Sequence, residues 1–152
     1  MAPEKNTIAR VAHDGKKADI VMFANVNKEK LLDFNLVGTG HTASMIANKT
    51  GLPVKPMLSG PLGGDAQIAA MVASGQCHGV IFLRGPLGMH PHDPDIAMLM
   101  RVCDVHNVPL ATNLATAELI VSQSSLFETS KFLGKVAARL RRGKARGSRQ
   151  SA

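Results

Sequence analysis

Ser59-Gly60-Pro61-Leu62-Gly63-Gly64-Asp65 joins a short apolar run to one with helical spacing. Upstream, Val54–Leu58 reads as a short buried strand. Downstream, Ile68, Met71 and Val72 recur at the i, i+3, i+4 spacing of one helix face. Ser59–Gly64 is therefore a strand-to-helix turn. Its three glycines allow close approach of backbone to a ligand. The first turn of the helix offers unpaired N–H groups and the positive end of the helix dipole, a ready anion site. Asp65 sits at that junction, and on this turn alone an N-cap is the simpler reading of it.

The same unit recurs along the chain. Thr7–Ala12 reads as a strand ended by His13-Asp14-Gly15, and Lys16–Leu32 as a helix with Ile20, Phe23 and Ala24 inward. Phe34–Val37 is a strand running into Gly38-Thr39-Gly40-His41-Thr42, then a helix to about Lys49 with a Thr50-Gly51 C-cap signal. Val54–Leu58 and a helix from Asp65 to about Ser74 form the third unit. Gly79–Leu83 is apolar throughout and so reads as a central strand. A loop, Arg84–Asp93, leads to a helix from about Pro94 with Ile96, Leu99, Met100 and Cys103 on one face. Pro109–Asn113 is a fifth strand, followed by helices from about Ala115 and from about Phe127 to Arg142. Five alternations predict an α/β fold: three layers, α/β/α, around a doubly wound five-stranded parallel sheet. We expect one domain over residues 1–142 and a basic, flexible tail over 143–152.

Composition narrows the function. The chain has 152 residues, 45% hydrophobic, with a formal charge of +7. Eight Lys and Arg and no acids lie from Lys131 onward, so the first 130 residues are close to neutral. With 3% aromatics and neither Trp nor Tyr, the chain offers few stacking platforms, which argues against nucleic-acid binding. No apolar run approaches the roughly 18 residues of a membrane span. Met1–Asn6 lacks the apolar stretch of a signal peptide. Cys77 and Cys103 lack metal-ligand spacing and read as small buried filler, which fits a reducing cytoplasm.

In doubly wound sheets ligands bind beyond the carboxyl ends of the strands. Here those ends carry His13, Asp14 and Lys17; Thr39, Gly40, His41 and Thr42; Ser59, Gly60 and Asp65; His90, His92, Asp93 and Asp95; and Thr112 with Asn113. Chance would scatter such residues. Thr39–Thr42 and Ser59-Gly60 read as two small cradles of N–H and O–H donors, and Lys17 adds a full positive charge, a set suited to one phosphoryl group. No Walker pattern or complete dinucleotide fingerprint is present, so a small phosphorylated metabolite is favoured over a nucleotide. The imidazoles and carboxylates supply acid–base capacity. They lack a metal-ligand spacing, and we expect no metal. His41, His78 and His106 taken singly read as surface residues.

Together these segments resemble methylglyoxal synthase. The resemblance rests on His13-Asp14 with Lys17, Gly38-Thr39-Gly40 with Thr42, Leu58–Asp65, Pro91-His92-Asp93-Pro94-Asp95 and Pro109–Ala117, and runs from about Ile8 to Val121. It implies a cytoplasmic lyase, a homo-oligomer and commonly a hexamer, that makes methylglyoxal and phosphate from dihydroxyacetone phosphate as a glycolytic bypass. It implies Asp65 as the proton-abstracting base, with Asp95 as a second carboxylate. His92 and His13 would face the oxygens that gain charge. Lys17, Thr39, Gly40, His41, Thr42, Ser59 and Gly60 would hold the substrate. The chain departs from the family at Gly85, where many members carry an acid, and at His41, where a second threonine is common. It also departs after Val121. The alternative is a non-catalytic domain of the same fold that senses a phosphorylated metabolite. A pure binder needs the cradle but not the base.

Overall fold

The computed structural model describes residues 4–88, 93–123 and 125–150. Among them, five strands run β1 (Thr7–Ala12), β2 (Asn35–Thr39), β3 (Val54–Met57), β4 (Gly79–Leu83) and β5 (Leu110–Ala111). The helices are α1 (Lys17–Val26), α2 (Lys28–Leu31), α3 (Gly40–Thr50), α4 (Gly64–Ala73), α5 (Asp93–His106), α6 (Leu114–Ser122) and α7 (Ser125–Gln150). The sheet is parallel throughout, in the order β3-β2-β1-β4-β5. The chain winds outward from β1 to β3, then crosses back to β4 beside β1. The point where strand order reverses therefore lies between β1 and β4, the crevice where such sheets bind ligands.

The burial pattern explains the layers. Every residue of β1 and β4 is buried, which requires cover on both faces. On one face Ile8, Ala12, Ile81 and Leu83 pack with Ile20 and Phe23 of α1, Ile46 of α3, Ile120 of α6 and Phe127 of α7. On the other, Ala9, Val11, Val80 and Phe82 pack with Ile68 and Val72 of α4 and with Ile96, Leu99 and Cys103 of α5.

The structure differs from the expectation in four places. The single helix over Lys16–Leu32 is broken at Asn27, whose buried amide donates to the Phe23 carbonyl and to Glu118 Oε2 (2.9 Å) instead of facing water. The third strand, expected to be buried, is the edge strand β3, whose residues are half-buried or exposed. The fifth strand is reduced to Leu110–Ala111, because Asn113 turns to cap α6 by accepting from the Thr116 N–H. The last helix does not stop at Arg142 but continues to Gln150, so no change of secondary structure marks a boundary there.

Candidate active site

The carboxyl ends of β1, β2 and β3 meet in a cavity of about 230 Å³, lined by His13, Asp14, Lys17, Thr39, His41 and Ser59 together with Gly60. These come from three separate segments, and parallel pairing of β2 with both neighbours brings them together. A groove of about 680 Å³ along β2 and β3 is larger, but it gathers mainly apolar side chains with Lys5 and Lys55 and no acid–base pair.

Lys17, on the first turn of α1, is held from behind. Its amine donates to the Ala12 carbonyl (3.2 Å) and to Thr42 Oγ1 (3.1 Å). The Thr39 hydroxyl also donates to Thr42 Oγ1 (3.4 Å). Thr42 is fully buried and does not line the cavity; it fixes the two residues that do. Desolvation lowers the Lys17 pKa, partly offset by Asp14, whose carboxylate lies 3.9 Å away. The amine is thus a cation short of water, which an anion in the cavity would satisfy.

The Gly40 N–H is already used, donating to the Leu58 carbonyl (3.2 Å), so among the α3 amides it is not a free donor. This bond clamps β3 to the start of α3. The Ser59 and Gly60 amides have no backbone partner among the described residues. Ser59 instead organises its turn through its carbonyl, which accepts from the Leu62 and Gly64 N–H groups (both 3.0 Å). Gly63 has φ +108°, and a Cβ on Gly64 would collide with the Leu58 carbonyl oxygen and press on Thr39. Glycine at 64 therefore lets α4 begin directly against the cradle.

Asp65 is the second residue of α4 and is fully buried. It makes no side-chain cap; Gly63 holds the cap position. The capping reading of Asp65 is thereby corrected: the carboxylate is fully buried in the turn of helix that follows Ser59–Gly63, and it does not line the cavity. Asp95 occupies the first turn of α5, half-buried, and α4 and α5 pack side by side, so two carboxylate-bearing helix starts lie next to each other. His90 and His92 lie outside the described residues.

His13 is buried at the end of β1, edge-on to Phe82 with ring centroids 5.2 Å apart. The Gly85 N–H donates to His13 Nδ1 (2.9 Å). An accepting Nδ1 puts the imidazole proton on Nε2, so the ring presents a donor from that side. Sequence reasoning missed Gly85 as a contributor, since a backbone amide has no residue-type signature. It also took His78 for a surface residue, whereas His78 Nδ1 accepts from the Thr7 N–H (2.9 Å) at the far end of β1. Among the described residues, no three His, Cys, Asp or Glu side chains converge as a metal site, and no helix is long and apolar enough to cross a membrane.

Comparison with known proteins agrees with this geometry. Residues 19–112 match the family model of the MGS-like domain. The chain is 57% identical over 117 residues to a methylglyoxal synthase of Cupriavidus metallidurans, covering 77% of this chain and 84% of that one. It is 53% identical over 116 residues to a methylglyoxal synthase of Clostridium botulinum, covering 76% and 98%. The crystal structure of methylglyoxal synthase from Elizabethkingia anophelis superposes with a TM-score of 0.76 at 44% identity, over 82% of each chain. A doubly wound parallel sheet with this cavity on its rim and relatives this similar place the chain in the methylglyoxal synthase family.

Proposed function

We propose that this protein is a carbon–oxygen lyase that converts dihydroxyacetone phosphate to methylglyoxal and inorganic phosphate, with Asp65 as its base. The observation that carries the assignment of roles is a fully buried carboxylate in the helix turn that follows a cavity lined by the Lys17 amine, two imidazoles and hydroxyl groups. A domain that only bound a phosphorylated metabolite would gain nothing from a carboxylate there, since like charges repel across a low-dielectric site.

Lys17, Thr39, Ser59 and the Gly60 amide take the phosphate, with Gly40 and Thr42 supporting from behind and His41 at the open side. Asp65 removes a proton from the hydroxymethyl carbon, and the electron pair moves onto the ketone oxygen. The Nε2–H of His13 donates to the oxygen that gains charge, a role shared with His92. The enediolate then collapses, its electrons expel phosphate with the C–O bond pair, and the enol left behind becomes methylglyoxal. The cradle holds that C–O bond out of the enediolate plane, so orientation supplies part of the rate. Asp95 serves as a second carboxylate for proton traffic. No step uses a metal or a cofactor.

Incubating the purified protein with dihydroxyacetone phosphate and measuring methylglyoxal and phosphate tests the reading. Asp65→Asn should lower turnover by roughly 10²–10⁴ with circular dichroism unchanged, the scale for a positioned base. Near-full activity in a folded Asp65→Asn would reassign the base.

A homo-oligomer fits the exposed apolar side chains Met22 and Val26 on α1 and Leu119 on the neighbouring α6. Light scattering would give its size, with a hexamer expected. Two unpaired buried thiols fit the reducing cytoplasm.

A further inference from the structure

A second cleft lies at the opposite end of the sheet, where β4 and β5 begin. It has a volume of about 490 Å³ and runs between α7 and the ends of α4 and α5. Its apolar floor includes Val72, Cys77 and Val108. Its walls carry Lys131, Lys135 and Arg141 from α7, with His78 and His106 from the body, and among the described residues no Asp or Glu lines it. One wall, α7, lies wholly beyond the residues matched by the family model.

Several of these cationic groups have capacity to spare. Lys135 makes no hydrogen bond or ion pair among the described residues, nor does the His106 ring. His78 spends only Nδ1, on the Thr7 N–H, which leaves its Nε2–H as a donor. Arg141 spends one N–H on the Val105 carbonyl (3.0 Å). Lys131 is more engaged, with Asn6 Oδ1 at 2.9 Å and Glu128 at 3.8 Å. The positive field registers on His78, whose pKa is lowered by burial and then by Lys131, with Glu4 acting weakly the other way.

We propose that this cleft is a second binding site, for a small anion that carries an apolar body, such as an organic carboxylate or a phosphate monoester with a hydrocarbon or ring portion. A volume of several hundred Å³ with an apolar floor and a few convergent polar groups is what such ligands occupy. Inorganic phosphate or a triose phosphate would leave the floor unfilled. A nucleic acid would meet a narrow cleft lined by no Phe, Tyr or Trp among the described residues. A second α7 would bring cations against cations, since no acid follows Glu128 in the chain. The site stands whether or not the rim carries lyase chemistry.

Fluorescence titration of the full chain with anilinonaphthalene sulfonate, an anion on an apolar ring system, tests the site. Neutral phenylnaphthylamine is the comparison probe. Saturable binding at one site per chain is expected, weakened about tenfold or more for the neutral probe. Lys135→Glu, at an exposed position, should weaken the anion about tenfold, with thermal melting and rim turnover unchanged. Ala138→Leu, narrowing the cleft, should weaken both probes. Binding that ignores both substitutions, or that is displaced by inorganic phosphate acting at the rim, would overturn the proposal.

Discussion

Arg10 carries a guanidinium into the core. It lies between Ile8 and Ala12 on β1, is fully buried, and its three side-chain nitrogens have no hydrogen-bond partner among the described residues. Burial pulls its pKa well below the usual guanidinium range, to about 10. Holding the charge inside therefore costs about 3 kcal/mol near neutrality. An apolar side chain removes that cost, so Arg10→Leu should stabilise the fold by about 1–3 kcal/mol at neutral pH. The folded chain releases this proton near pH 10, whereas the unfolded chain holds it to higher pH. The unfolded state thus binds more protons across that window, and the parent gains stability as pH rises through it. Denaturant melts near neutrality and at about pH 11 should show the gap to Arg10→Leu narrowing; a destabilised Arg10→Leu would mean that the guanidinium has a partner. A second residue-scale test concerns the Gly85 N–H on His13 Nδ1. Gly85→Pro deletes that donor and Gly85→Ala keeps it. Turnover should fall about tenfold or more only in the proline variant, and nitrogen NMR of the His13 ring should show the Nε2–H tautomer lost only there. At this scale the rim residues were legible, because strand ends can be read from apolar runs and everything polar just past them shares one edge. Arg10 and the Gly85 amide were not. One is a charge inside a run that reads as apolar, and the other is a backbone group.

The Ser59–Asp65 turn is the element on which the site depends. It joins an edge strand to α4 while pressing α4 against Thr39 and Leu58, and the close contact falls at Gly64. Gly64→Ala puts a methyl group into the Leu58 carbonyl, and the neighbour there is backbone that cannot rotate aside. Stability should fall by about 2 kcal/mol or more, and the Michaelis constant should rise as the Ser59–Gly60 amides shift; denaturant melts and steady-state kinetics read the two effects. Gly63→Ala, strained at φ +108° without that collision, should cost less. This turn was legible because glycine, proline and the change of hydrophobic period coincide within seven residues. The break at Asn27 was not. Asn27 is buried by a bond to Glu118, 91 residues away in sequence, and local periodicity carries no record of it. The fifth strand was over-read for a related reason: Pro109–Asn113 suits a strand, but Asn113 is used as the cap of α6.

The two ends of the sheet differ in what closes them. The carboxyl ends carry the rim cavity, and the amino ends are closed by α7. That helix is anchored near its start. Phe127 is buried against Phe34 and beneath Gly79, and the Ser130 hydroxyl donates to the Asn107 carbonyl (2.6 Å). The last anchoring bond among the described side chains beyond that is from Arg141 to Val105, and residues 143–147 are exposed. Residues 143–152 read as a tail that chemistry does not need, and the residues lining the rim cavity all lie between 11 and 61. A chain ending at Arg142 should therefore fold, assemble and turn over substrate at close to the parent rate. A chain ending at Gln123 removes Phe127 from the core and should lose about 3–5 kcal/mol, the cost of deleting a buried phenylalanine. Comparing both chains by thermal melting, light scattering and steady-state kinetics separates anchoring from catalysis. Should the Arg142 chain keep its fold and oligomer but show a large rise in Michaelis constant, then Arg146 or Arg149 reaches the rim of a neighbouring subunit, where a guanidinium pairs well with phosphate, and the site is larger than the residues of one chain.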